Sequence, residues 1–204
     1  MKFSLENNNK VWIFVVLVAA LISFTFINAY PISILDEAKN AEAAREMLAS
    51  GTYWVPKFNG ELRTDKPPLH YYFMLLGFKL FGTTVLGARF FSALMGFITL
   101  LTTFGFARRY FGNAVAQTTL LILVGSFFFM QEFHLAVPDP YLIAFVTLGL
   151  FSFYHFYVTK KYLYLVLFYF FLALGALSKG PVAIALPGLS VGLFILLQKE
   201  LKNH

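Results

Sequence analysis

Three carboxylates and two lysines are the residues of this chain best suited to chemistry. Asp36 and Glu37 follow the first apolar stretch directly, and Asp139 stands between two prolines in the sequence VPDP. Lys66 precedes a pair of prolines, and Lys179 lies in SKGP, a short break between two apolar segments. A carboxylate can accept a proton from an attacking hydroxyl, and an ammonium group is a good partner for phosphate.

Asp36, Glu37 and Lys66 also have simpler structural interpretations. Aspartate is a good helix N-cap, and an acidic side chain suits the positive end of a helix, so Asp36 and Glu37 could serve only to start a helix or could bind a cation. Lys66 could extend its charged end out of an apolar region, since the two prolines after it are tolerated at a helix start. The functional alternative is a lysine held at headgroup depth, where a lipid-linked phosphate would lie.

Asp139 and Lys179 leave similar alternatives open. Asp139 could be a turn residue, and Lys179 could mark the outer end of a helix. A carboxylate so near an apolar segment is nevertheless costly unless it is paired or used. Glu132 and His134 are close to Asp139 in sequence, but their spacing is not specific for a metal. We therefore expect no cofactor, with a divalent metal as an open alternative.

The composition indicates a protein that is solvated by lipid. The chain has 204 residues, of which 59% are hydrophobic and 13% charged, and its mean hydropathy is +0.71. Soluble domains usually carry about 25% charged residues. The net charge of +6 could suggest nucleic acid, but no basic stripe lies on a polar face. We predict no nucleic-acid partner, and no thiol chemistry because the chain has no cysteine.

Six apolar stretches are long enough, or nearly so, to cross a hydrocarbon layer of about 30 Å. They are residues 11–30, 86–107, 114–133, 140–158, 162–177 and 181–197. The first has no convincing cleavage site, so it is predicted to be a retained helix rather than a signal peptide. The sequence thus predicts an all-α polytopic membrane protein whose residues 1–204 form a single transmembrane module.

A seventh apolar stretch, residues 67–82, is predicted to lie on the membrane surface without crossing it. If it does not cross, the basic residues gather on the cytoplasmic side, as the positive-inside rule requires. These residues are Lys2, Lys10, Arg108, Arg109, Lys160, Lys161, Lys199 and Lys202. If it crossed, both double-basic loops would face outward. We therefore predict a helix on the outer leaflet, with Tyr71, Tyr72, Phe73 and Phe78 at headgroup depth.

This topology puts residues 31–85 in a long outer loop. Asp36 begins a predicted helical segment that stops at Gly51, a typical C-terminal helix residue. Turn-forming residues follow, among them Pro56 and the pair Asn59 and Gly60. The predicted chemical residues then all lie at one membrane boundary, with the span interiors nearly free of ionisable groups except for His155.

These motifs, in this order, resemble the membrane glycosyltransferases of the GT-C fold. The closest group is the bacterial branch of the dolichyl-phosphate-mannose protein mannosyltransferase family, which includes the lipid A 4-amino-4-deoxy-L-arabinose transferases. The resemblance rests on PISILDE at residues 31–37, REMLASG at 45–51, WVP at 54–56, KPP at 66–68, VPDP at 137–140 and SKGP at 178–181.

The resemblance implies transfer of a sugar from a polyprenyl-phosphate donor to lipid A, a protein or another glycan, with inversion at the sugar carbon. The reaction would take place at the outer face of the bacterial inner membrane, with the N-terminus in the cytoplasm. By this analogy Asp36 is the reacting carboxylate with Glu37 beside it, and Asp139 is the second acid. Lys66 and Lys179 would contact the donor phosphate.

Members of this family are much longer, so we expect this chain to be an N-terminal module with little activity by itself. The rival interpretation is a non-catalytic membrane subunit, or a transporter-like protein that binds anionic lipid. Transporters usually place charged groups near the bilayer midplane. Here the charges gather at a boundary, which favours the enzyme.

Overall fold

The computed structural model describes residues 6–33 and 35–202, with side chains described for residues 10–33 and 35–198. Ile34 and Lys2, and the side chains of Lys199 and Lys202, therefore lie outside the described part. The elements in chain order are α1 (Glu6–Phe24), α2 (Asp36–Ser50), β1 (Lys57–Phe58), β2 (Glu61–Leu62), α3 (Leu69–Phe81), α4 (Val85–Phe111), α5 (Asn113–Gly125), α6 (Phe127–Phe133), α7 (Asp139–Thr159), α8 (Tyr162–Lys179) and α9 (Val182–Lys202).

The helices confirm an all-α membrane protein. Within the described residues, α4, α7 and α8 are long and apolar enough to cross a membrane, and α5 with α6 would make a fourth span if the bent pair counts as one. The apolar parts of α1 and α9 are shorter, at Lys10–Phe24 and Val182–Gln198. Helices thus occupy all six predicted stretches, and the chain is a multi-pass membrane protein.

The first helix ends earlier than the predicted span of residues 11–30. Helix α1 stops at Phe24, and Phe26 has a positive φ of 62°. The backbone carbonyls of Ile27 and Tyr30 instead accept hydrogen bonds from Arg89. A charged side chain from another helix therefore satisfies the carbonyl groups that a longer helix would have used internally.

The predicted span of residues 114–133 is bent rather than straight. Helices α5 and α6 meet at an angle of 67°. Ser126 stands between them in an extended conformation, and its side chain accepts a hydrogen bond from the Phe129 N–H at 3.4 Å. Ser126 is thus an N-cap that starts a new helix, as serine often does.

Helix α3 forms where the sequence predicts a surface helix, but two of its aromatic side chains do not face lipid. Tyr71 and Phe78 are 0% and 5% exposed, because they pack inside the protein with Ala44 and Met47 of α2. The alanine-rich face of α2 leaves room for these rings. Only Tyr72 and Phe73 keep partial exposure, so of the four predicted aromatic side chains only these two are open to contact with headgroups.

A two-stranded hairpin follows α2. The sequence predicts its turn but not its two strands. Asn59 and Gly60 both have positive φ, at 53° and 80°, as a tight hairpin turn of this type requires. The Glu46 carboxylate of α2 accepts hydrogen bonds from the backbone N–H groups of Asn59 at 2.7 Å and Gly60 at 3.2 Å. The hairpin is thus attached to α2.

The long helices separate basic loops from candidate site residues. Helix α4 has Arg89 near its start and Arg108 near its end. Helix α7 begins at Asp139, and helix α8 ends at Lys179. The Lys160–Lys161 connection joins α7 to α8 at the opposite end. The structure therefore groups the candidate residues at the end of the bundle away from the basic loops.

Candidate functional site

Asp36 and Lys66 form an ion pair at the surface of the site. Lys66 Nζ donates a hydrogen bond to Asp36 Oδ2 at 3.1 Å, and the Asp36 side chain is 58% exposed. Asp36 is the first residue of α2, and its side chain caps nothing, because Leu35 is the N-cap residue. The hydrogen bond and charge of Lys66 hold the pKa of Asp36 below its usual range. Interpreting Asp36 as a helix cap is therefore wrong.

Arg63 lies close to this ion pair. Its Nη2 donates to Asn40 Oδ1 at 3.0 Å, its Nε donates to the Tyr71 hydroxyl at 2.8 Å, and its guanidinium lies 3.9 Å from Asp36. The backbone N–H of Arg63 donates to the carbonyl of Pro56, which closes the base of the hairpin. The hairpin thus positions a nearly buried guanidinium group between two carboxylates, 3.3 Å from Asp65 and 3.9 Å from Asp36.

Asp139 and Lys179 form a second hydrogen-bonded ion pair. Their side chains are 34% and 31% exposed. Asp139 starts α7 and Lys179 ends α8, so the pair joins adjacent helices. Gly180 follows with a positive φ of 86°, which suits glycine.

The two lysine motifs pack against each other. A Cβ atom added at Gly180 would lie 3.9 Å from Cγ of Pro67, the residue after Lys66. The structure therefore brings the KPP and SKGP motifs, and the acids paired with their lysines, to one region of the protein. Sequence separation gave no indication of this contact.

Glu37 is held differently from Asp36, although the two are neighbours. Its side chain is 2% exposed and binds the Arg89 guanidinium through both oxygens, at 2.6 Å to Nε and 2.8 Å to Nη2. The backbone N–H groups of Ala136 and Ser33 also donate to it, at 2.8 and 2.7 Å. Glu37 is therefore buried in a pair of its own and belongs to neither of the two partly exposed ion pairs.

Arg89, Arg63 and Asn40 are site residues that the sequence interpretation missed. Arg89 contradicts the view that the span interiors are nearly free of ionisable groups, because it lies just inside the predicted span of residues 86–107. An ionisable residue in an apolar segment is expected to have a partner and a role, and that expectation could have identified it. Arg63 and Asn40 carried no comparable sequence indication.

The sequence left a divalent metal site open, and the described residues contain no assembled set of ligands for one. Among the residues that the structure describes, no three His, Asp or Glu side chains lie close enough to hold a metal ion. Glu132 interacts electrostatically with Asp139 and Lys179. His134 Nε2 instead lies 2.9 Å from the carbonyl oxygen of Ser23.

A cavity of about 540 Å³ borders the Glu37–Arg89 pair. Apolar and aromatic side chains form most of its wall, with Ser33, Arg89, Gln131 and His134 as polar members. Exposed aromatic rings at Phe26 and Phe127 flank it. Such a lining suits a hydrocarbon chain better than a sugar.

The fold matches solved structures of ArnT from Cupriavidus metallidurans. The chain superimposes on ArnT from Cupriavidus metallidurans bound to undecaprenyl phosphate with a TM-score of 0.84 and 26% sequence identity. The match covers 97% of this chain and 37% of ArnT. The apo state of the same protein gives a TM-score of 0.86 at 27% identity, with 95% and 37% coverage. The expected GT-C fold is therefore confirmed.

Relatives by sequence agree with this likeness. An uncharacterized protein of Aquifex aeolicus is 38% identical over 81% of this chain and 34% of its own length. An undecaprenyl phosphate-alpha-4-amino-4-deoxy-L-arabinose arabinosyl transferase of Edwardsiella ictaluri is 32% identical over 82% of this chain and 31% of its own length. The chain thus spans about a third of the length of these relatives.

The family model for dolichyl-phosphate-mannose-protein mannosyltransferase matches residues 65–204. The matched part contains Lys66, Asp139 and Lys179, whereas Asp36 and Glu37 precede it. The structural match to ArnT extends the likeness to the earlier residues, since it covers 97% of this chain. By sequence and by fold, this chain belongs to the dolichyl-phosphate-mannose-protein mannosyltransferase family.

Proposed function

We propose that this chain binds a polyprenyl-phosphate-linked sugar and supplies catalytic residues for its transfer to an oxygen of a lipid A, protein or glycan acceptor. The observation that carries the proposal is the contact between the two lysine motifs, made by Gly180 against Pro67. It brings two ammonium groups and two carboxylates into one partly exposed region. The likeness to ArnT bound to undecaprenyl phosphate supports the same ligand class.

Lys66 and Lys179 are proposed to bind the donor phosphate. Each already pairs with a carboxylate, and each remains partly exposed, at 22% and 31%. The donor phosphate is a diester with one negative charge and two non-bridging oxygens, so a single group can accept hydrogen bonds from both ammonium groups, and its charge rises when the sugar leaves. The same contacts would stabilise the lipid phosphate as it leaves the sugar.

Asp36 is proposed to act at the reacting carbon. The acceptor oxygen attacks the sugar carbon, the bond from that carbon to the phosphate oxygen breaks, and the acceptor proton passes to Asp36. While Lys66 pairs with Asp36, the lowered pKa makes the carboxylate a weak base. When phosphate recruits Lys66, Asp36 loses that partner and its basicity rises. Asp139, freed from Lys179 in the same way, would orient the acceptor.

The site is proposed to face the outer side of the bacterial inner membrane. Support comes from the long helices, which carry Arg108 and Lys160 at one end and Arg89 and Lys179 at the other. Basic loops favour the cytoplasm, so the opposite end would face outward. The alternative of a non-catalytic lipid-binding subunit predicts that the chain binds the donor but that no sugar transfer depends on Asp36.

The first test is binding of undecaprenyl phosphate to the chain in nanodiscs, followed by native mass spectrometry. We expect the parent to bind undecaprenyl phosphate at least tenfold more tightly than uncharged undecaprenol, because only the former offers a phosphate. Lys66→Ala and Lys179→Ala should each remove most of this preference. Lys57→Ala is the matched control, since Lys57 is an exposed lysine on the same long loop.

The second test is transfer by the protein expressed from its own gene, with undecaprenyl-phosphate sugars and lipid A as substrates. We expect turnover that Asp36→Asn abolishes. Equal affinity of the parent for undecaprenyl phosphate and undecaprenol would refute the proposed donor site. Donor binding with no Asp36-dependent transfer to any acceptor would support the non-catalytic alternative.

A further inference from the structure

We propose that the buried Glu37–Arg89 pair is a positioning device that sets the placement of Asp36 relative to the segment leading into Asp139. Glu37 would then act through the two acids and not on the substrate itself. The catalytic consequence rests on the proposed function above, whereas the structural role does not.

Glu37 has no capacity left for a substrate. Its Oε1 accepts hydrogen bonds from Arg89 Nε at 2.6 Å and the Ala136 N–H at 2.8 Å. Its Oε2 accepts from Arg89 Nη2 at 2.8 Å, and from the Ser33 N–H at 2.7 Å and hydroxyl at 3.1 Å. A carboxylate offers about four lone-pair sites, and these donors occupy them. Burial alone would raise the pKa of Glu37, but hydrogen bonds from Arg89, Ala136 and Ser33 lower it.

Arg89 is equally saturated. Beyond its two bonds to Glu37, Nη1 donates to the carbonyls of Ile27 at 3.1 Å and Tyr30 at 2.9 Å, and Nη2 donates to Pro31 at 3.0 Å. The guanidinium group has five N–H donors, and all of them have acceptors. A lysine could not reproduce this forked arrangement.

The pair joins four segments, of which one carries Asp36 and another leads into Asp139. Its hydrogen bonds connect the segment after α1 to the start of α2, where Glu37 adjoins Asp36. It ties both to α4 through Arg89, and to the segment before α7 through the Ala136 N–H. Asn40 of α2 adds a second tie, because its Nδ2 donates to the Ala136 carbonyl at 3.4 Å. Helix α2 thus binds both backbone groups of Ala136, shortly before Asp139.

Loss of the pair should therefore loosen one acid relative to the other without removing either. A displacement of about 1 Å in a catalytic group can reduce the rate about a hundredfold. Lys66 and Lys179 do not contact the pair, so binding of the donor phosphate should change little. A rate defect without a binding defect is the expected signature.

The structural test uses spin labels, since the chain contains no cysteine to interfere. Ala49→Cys labels an exposed position near the end of α2, and Gln131→Cys labels the exposed residue nearest Ala136 in sequence. Double electron–electron resonance in nanodiscs should give a narrow distance distribution for the parent. We expect Glu37→Gln and Arg89→Lys to broaden or shift it, and Lys66→Ala to leave it unchanged as the matched control.

The functional test uses the protein expressed from its own gene. Glu37→Gln should lower kcat at least about tenfold, keep the Kd for undecaprenyl phosphate within about twofold, and leave the shape of the pH profile as in the parent. A catalytic Glu37 would instead change the pH profile while the distance distribution stayed narrow. Ser33→Ala removes a single hydroxyl donor, so it provides a milder variant if Glu37→Gln fails to fold.

The outcomes separate the two proposals. An unchanged distance distribution in both Glu37→Gln and Arg89→Lys, or in Arg89→Lys and Ser33→Ala if Glu37→Gln does not fold, would overturn the positioning role. A parent that neither binds undecaprenyl phosphate selectively nor transfers sugar would refute the proposed function. In that case the distance measurement would still decide the structural role of the pair.

Discussion

Lys66 Nζ lies 3.1 Å from Asp36 Oδ2. The lysine that is proposed to bind the donor phosphate therefore forms an ion pair with the carboxylate that is proposed to act as the base. The two residues are 30 positions apart in sequence and meet because KPP precedes α3 while Asp36 starts α2. A donor phosphate that recruits Lys66 would therefore release Asp36 at the same time. The pairing connects donor binding to the basicity of the carboxylate.

Asp36→Asn should abolish transfer and keep the donor bound. The change preserves shape but removes the charge and the capacity to accept a proton, so we expect a rate loss of about a hundredfold or more. Donor affinity should stay equal or increase, because Lys66 no longer pairs with a carboxylate. Single-turnover transfer and undecaprenyl-phosphate affinity in nanodiscs measure the two effects.

Lys66→Ala is the contrasting variant and should weaken donor binding as well as rate. Asp139→Asn should fall between the two, since it removes a second acid without removing a phosphate contact, and Lys179→Ala should resemble Lys66→Ala. A near-parental rate in Asp36→Asn would contradict its role at the reacting carbon. An unchanged donor affinity in Lys66→Ala would mean that the phosphate binds elsewhere.

The predicted orientation can be tested by labelling single cysteines with an impermeant maleimide in intact cells. Asn59→Cys and Thr83→Cys should react from outside, and Asn113→Cys should react only after the membrane is opened. Thr83 is preferable to Thr84, because the Thr84 side chain caps α4 by accepting the Gly87 N–H at 3.1 Å. Labelling of Asn59→Cys and Asn113→Cys but not of Thr83→Cys in intact cells would show that α3 crosses the membrane.

Gly77→Ala should destabilise the contact between α3 and α4. A Cβ atom at this position would lie 2.0 Å from the Gly87 carbonyl oxygen, which belongs to backbone and cannot rotate away. Overpacking of this kind costs about 1–3 kcal/mol, and the helices must separate to relieve it. Thermal unfolding in detergent should show a lower Tm.

Gly188→Ala is the matched control for this helix contact. Gly188 lies within α9, and a Cβ atom there would meet nothing within 4 Å. Its Tm should equal or exceed that of the parent, because alanine favours helix more than glycine does. Equal stability of Gly77→Ala and the parent would contradict the close approach of the two helices.

His70 should make stability depend on pH in the weakly acidic range. Burial lowers its pKa from 6.5 to about 3, so the folded chain keeps the imidazole neutral where the unfolded chain protonates it. Protonation then favours the unfolded state as the pH falls below 6.5. We expect the free energy of unfolding to decrease by up to about 1.4 kcal/mol per pH unit from this residue.

His70→Phe keeps an aromatic ring against Tyr71 and removes the titrating group. Thermal unfolding in detergent between pH 6.5 and pH 5 should therefore show a weaker pH dependence in this variant than in the parent. Asp36 and Glu37 have lowered pKa values, so their stabilising contributions are lost only at lower pH. They therefore add little to the pH dependence of Tm between pH 6.5 and pH 5. Identical slopes for parent and variant would show that His70 binds protons equally in the folded and unfolded states, which would contradict the lowered pKa.

The sequence alone determined the membrane class, the positions of the apolar helices and the identity of the exposed candidate residues. Composition and uninterrupted apolar runs are local properties, and lipid requires each such run to satisfy its own backbone hydrogen bonds as a helix. Gly51 as the end of α2 and the turn at Asn59 are also local, since each depends on a backbone conformation that these residue types favour. The motifs around Asp36, Lys66, Asp139 and Lys179 were likewise visible as sequence.

The tertiary structure decided how those residues are paired and which of them can reach a substrate. Sequence could not distinguish Asp36 from Glu37, yet one is 58% exposed beside Lys66 and the other is 2% exposed against Arg89. The difference arises because successive helical residues point about 100° apart, so that neighbours face different surroundings. Those surroundings are built by α4, by the hairpin and by the segment before α7, all distant in sequence. For the same reason the end of α1 at Phe24, the bend at Ser126 and the contact of Gly180 with Pro67 depend on partners that no local pattern contains.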